Sequence, residues 1–364
     1  MKQKIAGIVL GMLLASTCAF SLSLAEKYPD YTYVFAEFDV DESYIYDSEF
    51  EAFVRKNETK IKHFYRRSLQ RGEDLLPLVQ GYLMEDGMSD LFIYLSMVES
   101  GFSPVVVSSK KAVGLWQFMP ATAKHYHLEL YSGFDERFDP VSSTSAAISY
   151  LNTLHLMFGK WYLAAIAYNC GEGRLKKAIK KAGSDDLAIL LDKRGHYLPA
   201  ETRDYIEKIL LAAMIGESDT IDIEPVNVST GNELYQVEVA SGTKLDEVAK
   251  MIEMKPSDML ALNRQFKNGV VPDTNGHYKI MIPEEKMMLF YLRYRAPKMK
   301  KKVKPYLLSH YVKLGETIET IAEAYHSTVE EIKVANHIQD DFIAVDTLLV
   351  IPVGKEVFEK ALKR

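Results

Sequence analysis

Glu99-Ser100-Gly101-Phe102, followed by Gly114-Leu115-Trp116-Gln117-Phe118-Met119-Pro120, decides how this chain is read. The glutamate ends an apolar segment, residues 90–100, whose hydrophobic side chains recur at three and four spacing. That periodicity predicts a helix. Ser89 or Asp90 offers its N-cap, and Gly101 its stop. On such a helix Glu99 shares a face with Leu95, and with Phe92 and Leu91 one turn further back. A carboxyl group on the apolar side loses hydration, which raises its pKa. It also sits at the helix C-terminus, where the macrodipole disfavours negative charge. Both effects hold the proton on near neutral pH, as a general acid requires. The bland alternative is a solvent-facing glutamate at a helix end, and the residue alone does not exclude it.

Farther along the chain, Ala167-Tyr168-Asn169-Cys170-Gly171-Glu172-Gly173 adds a second cluster of amide, hydroxyl and glycine. Around these blocks the helical period continues. It is present at 73–85, interrupted by Pro77, and again at 161–169, 173–182 and 202–215. Asp139-Pro140 reads as an N-cap followed by proline at the first helical position, opening a helix through Met157. No run alternates with period two, so residues 61–218 are expected to form an all-α domain. Residues 26–60 are rich in tyrosine and acid, including Asp30, Glu37, Asp39, Asp41 and Glu42. They are expected to be a partly ordered N-terminal extension.

Beyond Glu217 the texture changes. Residues 219–232 are polar, contain Pro225, and read as a linker. A weak internal repeat follows. Gly242-Thr243-Lys244-Leu245 leads to Asn263, and Gly315-Glu316-Thr317-Ile318 leads to Asn336, each pair of Gly and Asn 21 residues apart. The units close at Ile282-Pro283 and Ile351-Pro352. Each reads as strand, two short helices, strand, spanning 233–285 and 308–354. The first departs from the second in having threonine directly after its glycine and about six extra residues before its closing strand. Residues 286–307 are expected to be a basic linker, with a short helix at 287–294 before the run Lys298, Lys300, Lys301, Lys302, Lys304.

Length and charge bound the rest. A chain of 364 residues suggests two or three domains, and a net charge of −6 argues against a nucleic-acid partner. Lys2 and Lys4, the apolar run Ile5 to Leu14, and Ser23-Leu24-Ala25 form an export signal, residues 1–25, with cleavage after Ala25. Lipid attachment at Cys18 is the alternative, but Leu14-Ala15-Ser16-Thr17 matches the required site poorly. Cleavage leaves Cys170 alone, so no internal disulfide is expected.

The three blocks around Glu99, Gln117 and Asn169 together resemble the catalytic domain of lytic transglycosylases, over about residues 61–215 and most closely the membrane-bound type D group. The two repeats look like LysM modules, which bind N-acetylglucosamine-containing glycans. The resemblance implies a multidomain protein: an all-α lysozyme-like catalytic domain followed by two small α/β (βααβ) modules. It implies peptidoglycan glycan strands as partner and substrate, and no cofactor or metal. It also implies a single-glutamate mechanism. Glu99 would protonate the oxygen between N-acetylmuramic acid and N-acetylglucosamine, then as carboxylate take the proton of the C6 hydroxyl that attacks C1. A 1,6-anhydro sugar results and no water is consumed. Ser108 would orient the glutamate or the acetamido group, and Gln117 would present a substrate-binding amide. Met119 would line the cleft with Trp116 packed beneath it. Tyr168 and Asn169 would contact the saccharide, and Tyr205 would close the pocket beside the glutamate.

Other candidates fall away. Glu172 is flanked by glycines, Asp135 and Glu136 lie in a polar loop, and Asp139 has a better use as a cap. Glu201 and Arg203 are read as ion-pair partners. His125 and His127 lack a third ligand at metal-like spacing, and Cys170 lacks a histidine partner. Two rival functions stay open: a hydrolytic muramidase of the goose-type lysozyme kind, and a non-catalytic wall-binding scaffold. A periplasmic site follows from the leader. Membrane association and oligomeric state are not legible.

Overall fold

Residues 26–60 are not a loose extension. In the computed structural model, which describes residues 22–218, 233–272, 277–295, 306–336, 338 and 342–361, they are helical and packed into the main core. Ser23 caps α1 (Leu24–Lys27) through a reciprocal bond pair with Glu26, so the expected cleavage after Ala25 falls within this turn. α2 (Tyr31–Glu37) and a 3-10 turn, Glu42–Tyr46, follow. Then α3 (Ser48–Gly72) runs for 25 residues from its Asp47 cap. Tyr28, Val34, Phe35, Phe38, Tyr44, Ile45 and Phe50 are all buried. The acids between them occupy caps and the outer face, which is why composition suggested an extension. The expected domain boundary at residue 61 falls in the middle of α3 and is corrected to the start of α1. Glu58 of α3 pairs with Lys27 and accepts the Tyr28 hydroxyl at 2.9 Å, which ties the first turn to this helix.

Pro77 opens α4 (Leu76–Glu85) rather than interrupting it, since an N–H in the first turn has no helical partner to lose. The 90–100 segment begins with a 3-10 turn, Asp90–Phe92, capped by Ser89. It continues as α5 (Ile93–Ser100), and Gly101 ends it in the left-handed region. After α6 (Pro120–His125) comes a small hairpin, β1 (Leu130–Tyr131) and β2 (Phe134–Asp135). α7 (Pro140–Phe158) starts from Asp139 as expected, and α8 (Trp161–Cys170), α9 (Glu172–Ala182), α10 (Leu187–Leu191) and α11 (Ala200–Glu217) complete the helices. α11 is the central helix. It packs against α2, α3, α5 and α8, and Ile206, Ile209, Leu210 and Leu211 are fully buried.

The first repeat is β3 (Leu234–Ala240), α12 (Leu245–Met251), α13 (Pro256–Leu262) and β4 (His277–Pro283), in the order expected. Its strands pair antiparallel from Leu234↔Pro283 to Ala240↔His277. α14 (Glu284–Arg293) belongs to this module and not to a linker. Phe290 is buried in the module core, and the Tyr294 hydroxyl accepts the Ala240 N–H at 2.8 Å. The boundary at 285 is therefore corrected. One compact unit reaches Tyr294; the second begins at Arg295.

That second unit holds β5 (Tyr306–Tyr311), α15 (Ile318–Ala324), α16 (Val329–Asn336), β6 (Leu348–Val353) and α17 (Lys355–Ala361) around its own small core. The repeated asparagine does the same work in both modules. Asn263 donates to the Met281 carbonyl at 2.9 Å and accepts the Met281 N–H at 2.7 Å. Asn336 makes the same pair with Val350, both at 2.7 Å. The separations are 18 and 14 residues, so the first module carries four extra residues here, rather than about six. The leader through residue 21, with Cys18, the 219–232 segment and the 298–304 lysine run lie outside the described residues.

If the N-terminal segment is part of the core, Phe35→Ala should destabilise the chain by about 3–5 kcal/mol, the usual effect of deleting a buried phenylalanine. Urea unfolding followed by tryptophan fluorescence checks this; a change below about 1 kcal/mol would return the segment to a peripheral role.

Candidate active site

The end of α5 is fixed from outside. Gly101 and Phe102 both adopt left-handed backbone, with φ of 62° and 56°, so the chain reverses two residues after Glu99. Arg71 of α3 donates from Nε to the Gly101 carbonyl at 3.0 Å and from Nη2 to Ser68 Oγ at 3.3 Å. A Cβ on Gly101 would lie 2.2 Å from that guanidinium. Phe102 is buried against Gly72. Glycine is thus required here twice, for backbone and for space.

Glu99 itself is partly buried. The Tyr205 hydroxyl of α11 donates to its Oε1 at 2.7 Å. Burial pushes the carboxyl up to about 7; the Tyr205 bond opposes the rise, and the negative charge of Glu201 adds to it. Tyr205 is buried, and desolvation together with the nearby Glu99 holds its phenol proton far more tightly than usual, so it is a fixed donor. Tyr168 on α8 is close enough for its hydroxyl to feel Glu99 as well.

The segment after α5 is a tight loop held by carbonyls. Gly114 has φ of 82°, and a Cβ there would meet the Arg137 carbonyl at 1.9 Å. Ser96 donates to the Leu115 carbonyl at 3.1 Å, and Tyr168 to the Trp116 carbonyl at 2.7 Å. Trp116 is fully buried, with its indole N–H on Thr144 Oγ1 at 2.9 Å, so it packs beneath the loop as expected. Met119 is 43% exposed. Gln117 sits at φ 49° and donates its amide to the carbonyls of Gly114 at 2.8 Å and Val106 at 3.3 Å. Its nitrogen therefore braces the loop.

Arg137 anchors this loop from behind. It forms a buried bidentate pair with Asp135, and its Nη1 donates to the carbonyls of Lys111 at 3.0 Å and Phe118 at 3.1 Å.

Two of the expected contact residues also make bonds within the protein. Ser108 Oγ accepts the Ala112 N–H at 2.9 Å, so it shapes a turn. Asn169 accepts from Thr202 Oγ1 at 3.0 Å, which binds the end of α8 to the start of α11. Arg203 donates to the Leu198 carbonyl at 2.8 Å, and no Arg203–Glu201 ion pair exists among the described residues; that expectation is corrected. Glu201 instead acts on Glu99 through its charge. Its spacing from Tyr205, four residues on one helix face, was a usable signal. The remaining carboxylates have other duties. Asp139 caps α7, Glu136 accepts the Glu129 N–H at 2.7 Å, and Glu172 is exposed at the start of α9. Burial pushes the Cys170 thiol up to about 11, which keeps it unreactive.

Comparison with known families places this geometry. The transglycosylase SLT domain matches residues 81–190, which include Glu99, the 114–120 loop and Tyr168-Asn169. The helical part of the chain carries an SLT transglycosylase domain. Residues 233–298 match the LysM-like domain of lytic transglycosylase MltD, and residues 310–352 match the LysM domain. The chain is 31% identical over 221 residues to membrane-bound lytic murein transglycosylase D of Escherichia coli strain K12, covering 59% of this chain and 47% of that relative. It is 32% identical over 119 residues to the soluble lytic murein transglycosylase of the same strain, covering 31% and 18%. The chain thus spans about half the length, or less, of these relatives. The solved 70 kDa soluble lytic transglycosylase of Escherichia coli aligns at 26% identity and a TM-score of 0.34, over 38% of this chain and 23% of that one.

Because the Glu99 carboxyl rises from an ordinary 4.5 to about 7 on folding, its stabilising protonation is complete below pH 4.5 and lost as pH rises through about 7. Glu99→Gln removes that dependence. The variant should match the parent near pH 4 and exceed its stability at pH 8 by about 1–3 kcal/mol. Urea titrations at both pH values test this, and equal differences at the two would refute a raised Glu99.

Proposed function

We propose that this protein is an exported peptidoglycan lytic transglycosylase that uses Glu99 as acid and then base. The carrying observation is the Glu99 carboxyl: desolvated, raised to about 7, and held by the Tyr205 hydroxyl at 2.7 Å. A group poised there keeps its proton in the resting enzyme yet releases it readily. Glu99 gives that proton to the oxygen bridging N-acetylmuramic acid to N-acetylglucosamine, and the C1–O bond breaks. The substrate's N-acetyl group stabilises the cation left at C1. Glu99, now carboxylate, takes the proton of the C6 hydroxyl as O6 bonds to C1. The acid is restored and a 1,6-anhydro ring forms without water.

A two-carboxylate hydrolase would need a second acid facing the bond. Asp135 and Asp139 are committed to Arg137 and to a helix cap, which favours the single-residue route. Ser108, Gln117, Met119, Tyr168 and Asn169 supply the surrounding contacts in this proposal, Gln117 through its amide oxygen. The second LysM module tethers the enzyme to glycan and raises its local concentration. The basic, apolar leader and the membrane-bound relative support a periplasmic, membrane-associated location.

Purified sacculi digested by the chain should release muropeptides lighter by one water than hydrolytic products, as read by mass spectrometry. Reducing ends would identify a hydrolase instead. Glu99→Gln should lower the rate by about 10²–10⁴-fold while sedimentation with sacculi is retained. Activity should fall as pH rises through about 7, and Tyr205→Phe, which removes the bond opposing the raised pKa, should move that fall to higher pH. An unshifted profile would remove Tyr205 from the proton chemistry.

A further inference from the structure

The four extra residues of the first LysM-like module lie between Asn263 and Met281, and the loop that follows Asn263 stays packed in its own module's core while its Phe266 side also meets the β1–β2 hairpin of the catalytic domain. Phe266 stacks on Phe134 of β2 with ring centroids 5.2 Å apart, and the two residues form a β-bridge. On either side the backbones pair. The Asp135 N–H donates to the Gln265 carbonyl at 3.0 Å, and the Lys267 N–H to the Gly133 carbonyl at 2.9 Å. Phe134 is buried within the core of the module, while Leu234 and Met281 of the module are buried within the core of the catalytic domain. Each domain completes the interior of the other. A module that served only as a tether would need a free surface and a flexible connection, and no exchange of core residues.

The clasp ends at a residue that matters for the site. Asp135, whose N–H is held by Gln265, carries the bidentate pair to Arg137. Lys267 Nζ lies 3.7 Å from the same carboxylate. Arg137 in turn holds the carbonyls of Lys111 and Phe118, and its own carbonyl faces Gly114. The segment so gripped contains Trp116 and Gln117.

We propose that the first LysM-like module is a positioning element of the catalytic domain, its Phe266 clasp holding the Asp135–Arg137 anchor that sets the 106–118 loop beside Glu99. The two modules therefore have different jobs, the second alone being left to tether. The catalytic consequence rests on the transglycosylase reading; the mechanical coupling does not.

Hydrogen exchange on the full chain tests the coupling without reference to activity. Phe266→Ala should speed exchange of amides in 106–118 by about tenfold or more, with those of α8 and α11 unchanged. Phe266→Leu, which keeps an apolar body in place, should give an intermediate increase, and it carries the same comparison if the alanine variant does not fold. On soluble glycan fragments, Phe266→Ala should lower kcat by about tenfold to a hundredfold with KM within about twofold, the pattern of a misplaced site. Sedimentation with sacculi should stay within about twofold of the parent. Unchanged exchange in 106–118, or an activity loss matched by lost wall binding, would overturn the proposal. A parent chain that produces no anhydro ends would instead sink the functional reading, leaving the exchange result to judge the clasp.

Discussion

The hydrogen bond from Tyr205 to Glu99 joins residues 106 apart in the chain, and it orients a carboxyl that burial has largely stripped of water. A buried carboxyl without a donor would be costly and poorly directed. A donor that easily lost its own proton would fix nothing. Here the donor is a phenol on the central helix, surrounded by packed apolar residues and held protonated by burial. α11 therefore both fills the core and delivers the hydrogen-bond partner of Glu99. α3 makes the opposing contribution: Arg71 and Gly72 set the reversal at Gly101-Phe102 that determines where α5 stops.

Local signals were the legible ones. The Ser89 cap, the Gly101 stop and the Asp139-Pro140 start act over a few residues, and each is found where the sequence places it. The N-terminal segment was misjudged for a physical reason. Its acids are conspicuous in composition, while Tyr28, Phe35, Phe38 and Phe50 acquire meaning only through partners far away in sequence. α14 reads as part of a connector because the lysine run that follows it dominates 286–307; its ties lie far back in the sequence, with Phe290 buried in the module core, Met287 and Leu289 packed against that core, and Tyr294 stacked on Phe290.

The site divides in the same way. Helical position alone made Glu99 a candidate acid, since apolar neighbours lie on its face. Tyr205 and Tyr168 could be tied to it only by resemblance, because contacts of that range leave no periodic trace. Gln117 and Asn169 show a limit of residue-type reasoning: an amide makes hydrogen bonds, but type does not say with whom. Each turns part of its hydrogen-bonding capacity inward, to the loop and to Thr202 respectively.

The asparagine found in each module has an effect beyond its own turn. A sheet of two strands has bare hydrogen-bonding edges on both sides, and repeated units with bare edges invite zippering between neighbouring copies. Asn263 and Asn336 each occupy the N–H and carbonyl of one residue of the closing strand, Met281 and Val350, with a side-chain amide that mimics a third strand one residue long. At Met281 and Val350 the closing strands therefore have no backbone group left to offer a neighbouring strand.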